Sequence, residues 1–314
     1  KGDLDAWDAA IKVNPNLSLI VTGDMIDRYK KKILAELRYK PGKLISVASR
    51  DIRRNFDILS EFVKFDYDRI GYVQNSTPRY YDLCKIAVSE INDYGSALRY
   101  IPKPPTIPEK EYIDICKIAV SKDGGALAYV PKPPEITEKE YYDICKIAVS
   151  HSSWTLMNVP WELRTPEICK IAVTQNGFTV KYVPEPPEIP EKEFIEICKI
   201  AVSINGRALG EVPWSRRNPE ICKIAVAQNG LTLCYVNSQI MTEKEFIEIC
   251  KIAVSNDGSA LDCVPEPPHP KITEKEYIDI CKIAISQDDE SWEHVPNKLW
   301  DQVRAEFAKE NANH

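Results

Sequence analysis

One apolar pattern recurs along most of this chain. The sequence Ile-Cys-Lys-Ile-Ala-Val, with small changes, occurs eight times between residues 76 and 296. Around one copy, Tyr112, Ile115, Cys116 and Ala119 follow a spacing of three and four residues, so they occupy one face of a helix. Few positions of this helix are polar, which predicts that it is packed between neighbouring helices.

The copies are spaced like the units of a repeat protein. Successive Cys-Lys pairs are 32, 29, 24, 29, 24, 28 and 31 residues apart. Periods in this range are typical of solenoids, in which each short unit packs only on its neighbours. We therefore predict an all-α solenoid of short helix–turn–(short helix or 3-10) repeats. Its eight repeated cysteines are Cys84, Cys116, Cys145, Cys169, Cys198, Cys222, Cys250 and Cys281.

Local signals predict the ends of each helix. Thr137 and Glu140 form a capping-box pattern, and Thr165-Pro166 places proline at a first helical position. A pair such as Asn205-Gly206 follows most helices, and its glycine is expected to be a left-handed C-cap. The short apolar piece after it predicts a single α or 3-10 turn. The distance from the N-cap to the cysteine is four residues in the short units and eight in the long units. The difference is about one helical turn, so the longer helices should keep the same apolar face.

The two residues of the Cys-Lys pair have different predicted roles. The cysteine lies on the apolar face, so we interpret it as a small buried hydrophobic residue. A catalytic thiolate would need a basic and partly exposed setting. An acidic residue precedes each lysine by three positions, as Asp114 precedes Lys117, and this spacing favours ion pairs on a helix surface. In stacked repeats these pairs would form a charged outer face.

The pattern divides the chain into three predicted regions. Residues 76–296 form an eight-unit helical repeat array. Residues 1–75 form a helical N-terminal region with a degenerate repeat at about 51–75, because residues 56–73 align without a gap on residues 113–130. Residues 297–314 form a C-terminal capping helix, which would cover the apolar face of the last repeat.

The repeat unit resembles a known group of repeats. Its consensus is (Asp/Glu)-Ile-Cys-Lys-Ile-Ala-Val, then Asn-Gly or Asp-Gly, then a Leu-containing turn that ends in Tyr-Val-Pro. This resembles the short helical repeats of bacterial effector proteins, notably from Legionella, and of large DNA viruses. The resemblance covers residues 76–296 and implies no established activity and no catalytic residues. It does imply a protein that an intracellular parasite uses inside a host cell.

Composition and charge argue against several functions. The 314 residues carry a formal charge of −6, with +3 on residues 1–75 and −9 on the rest, so no binding of nucleic acid is expected. No apolar run reaches the roughly 20 residues of a membrane span. No Cys-x-x-Cys occurs and the four histidines share no ligand spacing, so no metal and no cofactor are expected.

The cysteines also bear on the predicted location. Without a recognisable signal sequence, all ten are expected to be reduced thiols of a cytoplasmic protein. The resemblance to effector repeats extends this expectation to a protein secreted into the cytosol of a host cell.

Two tryptophan–arginine pairs form the candidate partner-binding site. Trp161 and Trp214 each follow Val-Pro and precede an arginine, Arg164 or Arg217, in the pattern Trp-x-x-Arg-(Thr/Asn)-Pro-Glu. The tryptophans are 53 residues apart, so they would occupy equivalent places two repeats apart. Both residue types are enriched among the side chains that dominate binding energy at protein interfaces. The alternative is a structural pair, with the indole packed over the shortened helix and the arginine stacked on it.

No sequence motif for nucleotide binding, serine hydrolysis or metalloprotease chemistry occurs, so no catalytic residue is predicted.

We predict a non-catalytic, monomeric scaffold that binds a protein partner, for example a host protein. The alternative is the substrate-adaptor part of an enzyme whose catalytic site lies in residues 1–75 or in a flank outside this chain. A third interpretation is a spacer without a specific binding surface. Catalytic motifs in a longer chain would favour the adaptor.

Overall fold

A computed structural model of the chain consists of α-helices and short 3-10 helices. It describes residues 2–39, 41–90 and 95–311, and no β-strand occurs in these ranges. The predicted all-α solenoid fold is confirmed, because units of one α-helix and one 3-10 helix repeat regularly and consecutive helices pack on each other. The chain divides into two compact units, residues 1–158 and residues 159–314.

The first unit contains an irregular start and three regular repeats. Helix α4 and the 3-10 helix after it follow the helix–3-10 order of a regular repeat, and the same order already occurs at α1. The α-helices are α1 Gly2–Val13, α2 Met25–Tyr39, α3 Pro41–Val47, α4 Phe56–Val63, α5 Tyr80–Glu90, α6 Glu109–Lys122 and α7 Glu138–His151. The 3-10 helices are Pro15–Ile20, Ile52–Arg54, Arg69–Tyr72, Ser96–Tyr100, Gly124–Tyr129 and Ser153–Asn158.

The second unit contains five regular repeats and a terminal helix. The α-helices are α8 Pro166–Gln175, α9 Glu191–Ile204, α10 Pro219–Gln228, α11 Glu243–Asn256, α12 Glu274–Gln287 and α13 Trp300–Asn311. The repeated 3-10 helices are Gly177–Tyr182, Gly206–Glu211, Gly230–Tyr235, Gly258–Cys263 and Asp289–His294. Shorter 3-10 helices lie in the connections at Trp161–Leu163, Trp214–Arg216, Ser238–Ile240 and Asn297–Leu299.

The predicted helix starts and lengths are confirmed in most repeats. At the predicted Thr137–Glu140 box, the Glu140 backbone N–H donates to the Thr137 hydroxyl at 3.2 Å, but the Glu140 carboxylate accepts from that hydroxyl, so the box forms only in part. The equivalent box of Thr242 and Glu245 is complete, because the Glu245 carboxylate also accepts from the Thr242 backbone N–H at 2.8 Å. Helix α7 has 14 residues and α8 has 10, and the four extra residues precede the cysteine. Thr77-Pro78 has the same N-cap and proline pattern as Thr165-Pro166, but it does not start the helix, because α5 begins only at Tyr80.

The interpretation of glycine as a left-handed C-cap is wrong. After α9, Asn205 has an extended backbone with φ of −150°, and its side chain accepts from the Arg207 backbone N–H at 3.0 Å. The Asn therefore begins the 3-10 helix. The glycine beside it is required by close packing, because a Cβ on Gly206 would lie 2.6 Å from the carbonyl oxygen of Ala225 in α10.

Helices pack through the predicted apolar face. In α8, Ile168, Cys169, Ala172 and Val173 are fully buried, and the same four positions are buried in the other repeats of this unit. All eight cysteines of the Cys-Lys pairs have 0% exposed surface. The cysteine therefore lies at the contact between consecutive helices, where its small volume lets them approach closely.

Consecutive 3-10 helices contact each other through one repeated position. The last residue of one 3-10 helix lies on the second-to-last residue of the 3-10 helix before it. A Cβ on Gly71 would lie 3.2 Å from Tyr100, and the Arg99 guanidinium lies 5.4 Å from the Tyr129 ring centroid. In the second unit this position pairs Tyr235 with Gly210, Cys263 with Cys234, and His294 with Asp262.

The terminal helix α13 covers the last repeat, as predicted. Val303 is fully buried, and α13 packs on α12. Aromatic rings close the end of the unit, with the Trp292 ring centroid 5.3 Å from that of Trp300 and 6.0 Å from that of Phe307. The apolar face that a following repeat would have covered is therefore buried by this helix.

Candidate partner-binding site

Trp161 and Trp214 both lie at the start of a short 3-10 helix that leads into a 10-residue α-helix. A proline precedes each short 3-10 helix, and the N-cap of the next α-helix, Thr165 or Asn218, follows soon after. Each short helix therefore has only three residues. The side chains of Trp161 and Trp214 remain exposed, at 58% and 51% of their surface. No ring contact joins the two indoles in the described part of the chain, so each is a separate surface feature.

Arg217 is buried and joins consecutive repeats. Its guanidinium donates to three backbone carbonyl oxygens: Val212 at 2.9 Å, Gly210 at 3.0 Å and Tyr235 at 2.7 Å. The first two belong to the repeat before it, and Tyr235 ends the 3-10 helix of its own repeat. Arg217 is only 8% exposed, and burial lowers its pKa below the ordinary arginine value. Such a buried cation is stable because its donors are satisfied.

Arg164 makes the equivalent contacts around the first tryptophan. Its Nε donates to the Val159 carbonyl oxygen at 2.9 Å, and its Nη1 donates to the Tyr182 carbonyl oxygen at 2.8 Å. Burial also lowers the pKa of Arg164. The carbonyl of each arginine in turn accepts a weak hydrogen bond from the repeat cysteine, at 3.4 Å for Cys169 in this case.

The structure therefore separates the four candidate residues into two roles. The guanidinium of Arg217 lies 4.8 Å from the Trp214 ring centroid, and the Asn237 side chain donates to the Trp214 carbonyl oxygen at 3.0 Å. Both arginines hold backbone segments together, and Arg217 also stacks on its tryptophan as the structural alternative expects, but Trp161 and Trp214 are about half exposed. That these residues bind a partner stays a prediction.

Among the predicted acid–lysine pairs, Glu196–Lys199 and Asp279–Lys282 are seen as ion pairs, the second at 2.9 Å, and several lysines reach the following helix. Lys199 lies 3.3 Å from Glu196 in its own helix and 2.6 Å from Glu220 in the next helix. Lys170 similarly contacts Glu193 at 2.6 Å. Further contacts of this kind join Lys85 to Glu111 and Lys223 to Glu248. These ion pairs are partly exposed, so each stabilises by no more than about 1 kcal/mol.

The expectation of ten reduced thiols is wrong for one pair. Cys234 and Cys263 form a disulfide, with their Cα atoms 5.1 Å apart. The other eight cysteines are free and buried. Cys234 and Cys263 occupy different positions of the repeat unit, so a comparison of equivalent positions does not reveal the bond. The available signal was that the last residue of one 3-10 helix and the second-to-last of the previous one are both cysteine.

The repeat thiols are held in their neutral form. Burial raises the pKa of every Cys-Lys thiol to about 12. Within the ranges that the structure describes, no group of three or more His, Cys, Asp or Glu is placed to hold a metal ion. No helix among the same residues is both long and apolar enough to cross a membrane.

No protein-family model, curated protein or solved structure matches this chain significantly. Any functional conclusion therefore depends on the geometry of its own residues.

Proposed function

We propose that this protein is a non-catalytic helical-repeat scaffold that binds another protein through Trp161 and Trp214. The observation that carries the proposal is that the two most exposed tryptophans of the second unit occupy equivalent places two repeats apart. Large exposed aromatic side chains on a rigid backbone are typical anchors of protein interfaces.

The backbone under these anchors is already held in place. Arg217 and Asn237 fix the short 3-10 helix of Trp214 through four hydrogen bonds to backbone carbonyls. Binding would then cost little ordering of the scaffold, which favours affinity. In this proposal the arginines position the anchors, and the indoles contact the partner.

The resemblance to effector repeats extends the proposal to the source of the partner, a protein of a eukaryotic host cell. Charge supports a protein rather than a nucleic acid, because residues 76–314 carry a net charge of −9.

The test is affinity capture from a host-cell lysate with the wild-type chain and the Trp161→Ala/Trp214→Ala variant. Loss of two anchors should weaken binding by about 2 kcal/mol or more each, so specific partners should disappear from the captured proteins. The variant should stay folded, since exposed side chains contribute little to stability, and circular dichroism checks this.

The matched control replaces two other exposed apolar residues of the same unit, Ile204→Ser and Leu231→Ser, which are 46% and 37% exposed. The control should capture the same proteins as the wild type. If all three chains capture the same proteins, or none captures any, the proposed role of the tryptophans is wrong.

A further inference from the structure

A cavity of about 340 Å³ lies in the first unit, away from the tryptophans. Its walls come from α3, the 3-10 helix Ile52–Arg54, α4 and the segment 72–77. The apolar part is formed by Ile45, Leu59 and Val73. This volume is at the lower end of the range of small-molecule sites in proteins.

The ring of Tyr72 closes one side of the cavity. A Cβ on Gly42 would lie 2.8 Å from Cε1 of Tyr72, so only glycine allows the ring to lie directly against α3. The Tyr72 hydroxyl donates to the Asp68 carboxylate at 3.2 Å, which fixes the ring in this position. The Tyr72 ring therefore forms one wall of the cavity.

Arg53 brings a positive charge to this cavity. Its side chain lines the cavity, and its Nε is buried without a hydrogen-bond acceptor. The side chain forms no ion pair with any residue that the structure describes. Other arginines of this unit do have acidic partners, as Arg28 has Asp8 and Arg79 has Asp82.

The other polar groups of the cavity also suit an anion. Thr77 is only 8% exposed, and it lines the same cavity. The Gln74 amide lines the same space. No Asp or Glu of the described chain lines the cavity. A guanidinium, an amide and a hydroxyl can all donate to oxyanions, and a guanidinium does so through two parallel hydrogen bonds.

We propose that this cavity binds a small oxyanion, a carboxylate or phosphate group on a compact apolar body. Arg53 pairs with the anionic group, and Thr77 and Gln74 donate to it. Ile45, Leu59 and Val73 contact the apolar body. This site is independent of the proposed protein binding. The cavity lies in the first unit and would bind an anion, whereas Trp161 and Trp214 lie in the second unit and would contact a protein.

Calorimetric titration of the full chain tests this proposal with benzoate, phenyl phosphate and the neutral benzyl alcohol. Saturable binding of at least one anion, with no binding of benzyl alcohol, is expected. The tighter of the two anions identifies the carboxylate or the phosphate as the preferred group. Equal binding of the alcohol, or no binding of either anion at millimolar concentration, would overturn the proposal.

Variants assign the binding to the cavity. Arg53→Gln should weaken anion binding at least tenfold, and Arg53→Lys should weaken it less, because the charge remains but the planar fork is lost. Thr77→Val should weaken it severalfold and supports the site even where Arg53→Gln does not fold. Arg54→Gln is the matched control, since Arg54 is exposed in the same 3-10 helix and does not line the cavity. Unchanged binding in both Arg53→Gln and Thr77→Val would contradict the assignment.

Discussion

The cysteines fall into two classes that differ in their surroundings. The eight in Cys-Lys pairs have 0% exposed surface, and burial raises the pKa of each thiol to about 12. Cys234 is exposed, and Cys263 is half-buried, in their disulfide. Since thiolates rather than thiols react with electrophiles, the two classes should differ strongly in reactivity.

Labelling with a maleimide, followed by mass spectrometry, should separate these classes. The native chain should take no label near neutral pH, because eight thiols are buried and neutral and two are oxidised. Mild reduction should add two labels, at Cys234 and Cys263. Reduction in denaturant should give ten.

Labelling of Cys234 and Cys263 after mild reduction is the control, because it shows that the reagent reacts with accessible thiols of the folded chain. Rapid labelling of Cys116 or Cys198 in the folded protein would contradict the buried packing role. Two labels before reduction would instead contradict the disulfide, because Cys234 and Cys263 would then be free.

Burial of the Cys-Lys cysteines could be predicted from sequence because it depends only on helical periodicity. The role of Arg217 could not, because its acceptors Gly210, Val212 and Tyr235 are backbone carbonyls. Every residue has a backbone carbonyl, so the sequence does not show which of them accept hydrogen bonds from an arginine. The pattern around Arg217 therefore suggested an interface residue, whereas the side chain is buried between repeats.

At the scale of elements, the contact between consecutive 3-10 helices tolerates several chemistries. Tyr235 covers Gly210, while at the next contact Cys263 is bonded to Cys234. Sequence repeats reveal the helices, but this contact joins the last residue of one 3-10 helix to the second-to-last residue of another. The two residues in contact are therefore one position apart in the repeat unit. An alignment of the units does not show this offset, because it arises from the way the 3-10 helices stack.

The disulfide should be replaceable by the tyrosine–glycine contact. Reduction of the wild type should lower its free energy of unfolding by roughly 3–4 kcal/mol at most, because the bond closes a loop of about 30 residues. The Cys234→Gly/Cys263→Tyr variant should be insensitive to reductant and at least as stable as the reduced wild type. Urea denaturation with and without reductant measures both effects.

The matched control is Cys234→Ala/Cys263→Ala, which removes the bond without restoring a ring contact. It should be less stable than the Gly/Tyr variant. Equal stability of the two variants would show that the tyrosine–glycine contact contributes nothing at this position.

At the scale of the whole molecule, both units depend on the same neutral thiols. Three lie in the first unit and five in the second: Cys84, Cys116 and Cys145, and then Cys169, Cys198, Cys222, Cys250 and Cys281. Their ordinary pKa is 9.0, and in the folded chain it is about 12. A raised folded pKa contributes stability that is complete below the unfolded value and is lost as pH rises towards the folded value.

We therefore expect the protein to unfold at alkaline pH, between about pH 9 and about pH 12. Above pH 9 the unfolded chain releases protons that the folded chain keeps, and each such thiol lowers the unfolding free energy by about 1.4 kcal/mol per pH unit. The summed loss of unfolding free energy from several thiols is comparable to the 5–15 kcal/mol that typically stabilises a domain. Buried tyrosines act in the same direction, because burial raises the pKa of Tyr80 and Tyr141.

Urea denaturation followed by circular dichroism, at about pH 8 and then in steps towards about pH 10, measures this loss. Stability should change little from neutral pH to about pH 8 and then fall steeply. The Cys198→Ala variant should begin less stable, because it leaves a small cavity, but should fall less steeply by the equivalent of one proton. Equal midpoints at the two ends of this range would mean that the thiols titrate alike in the folded and unfolded chain. The packing between repeats would then have to be explained without buried, neutral cysteines.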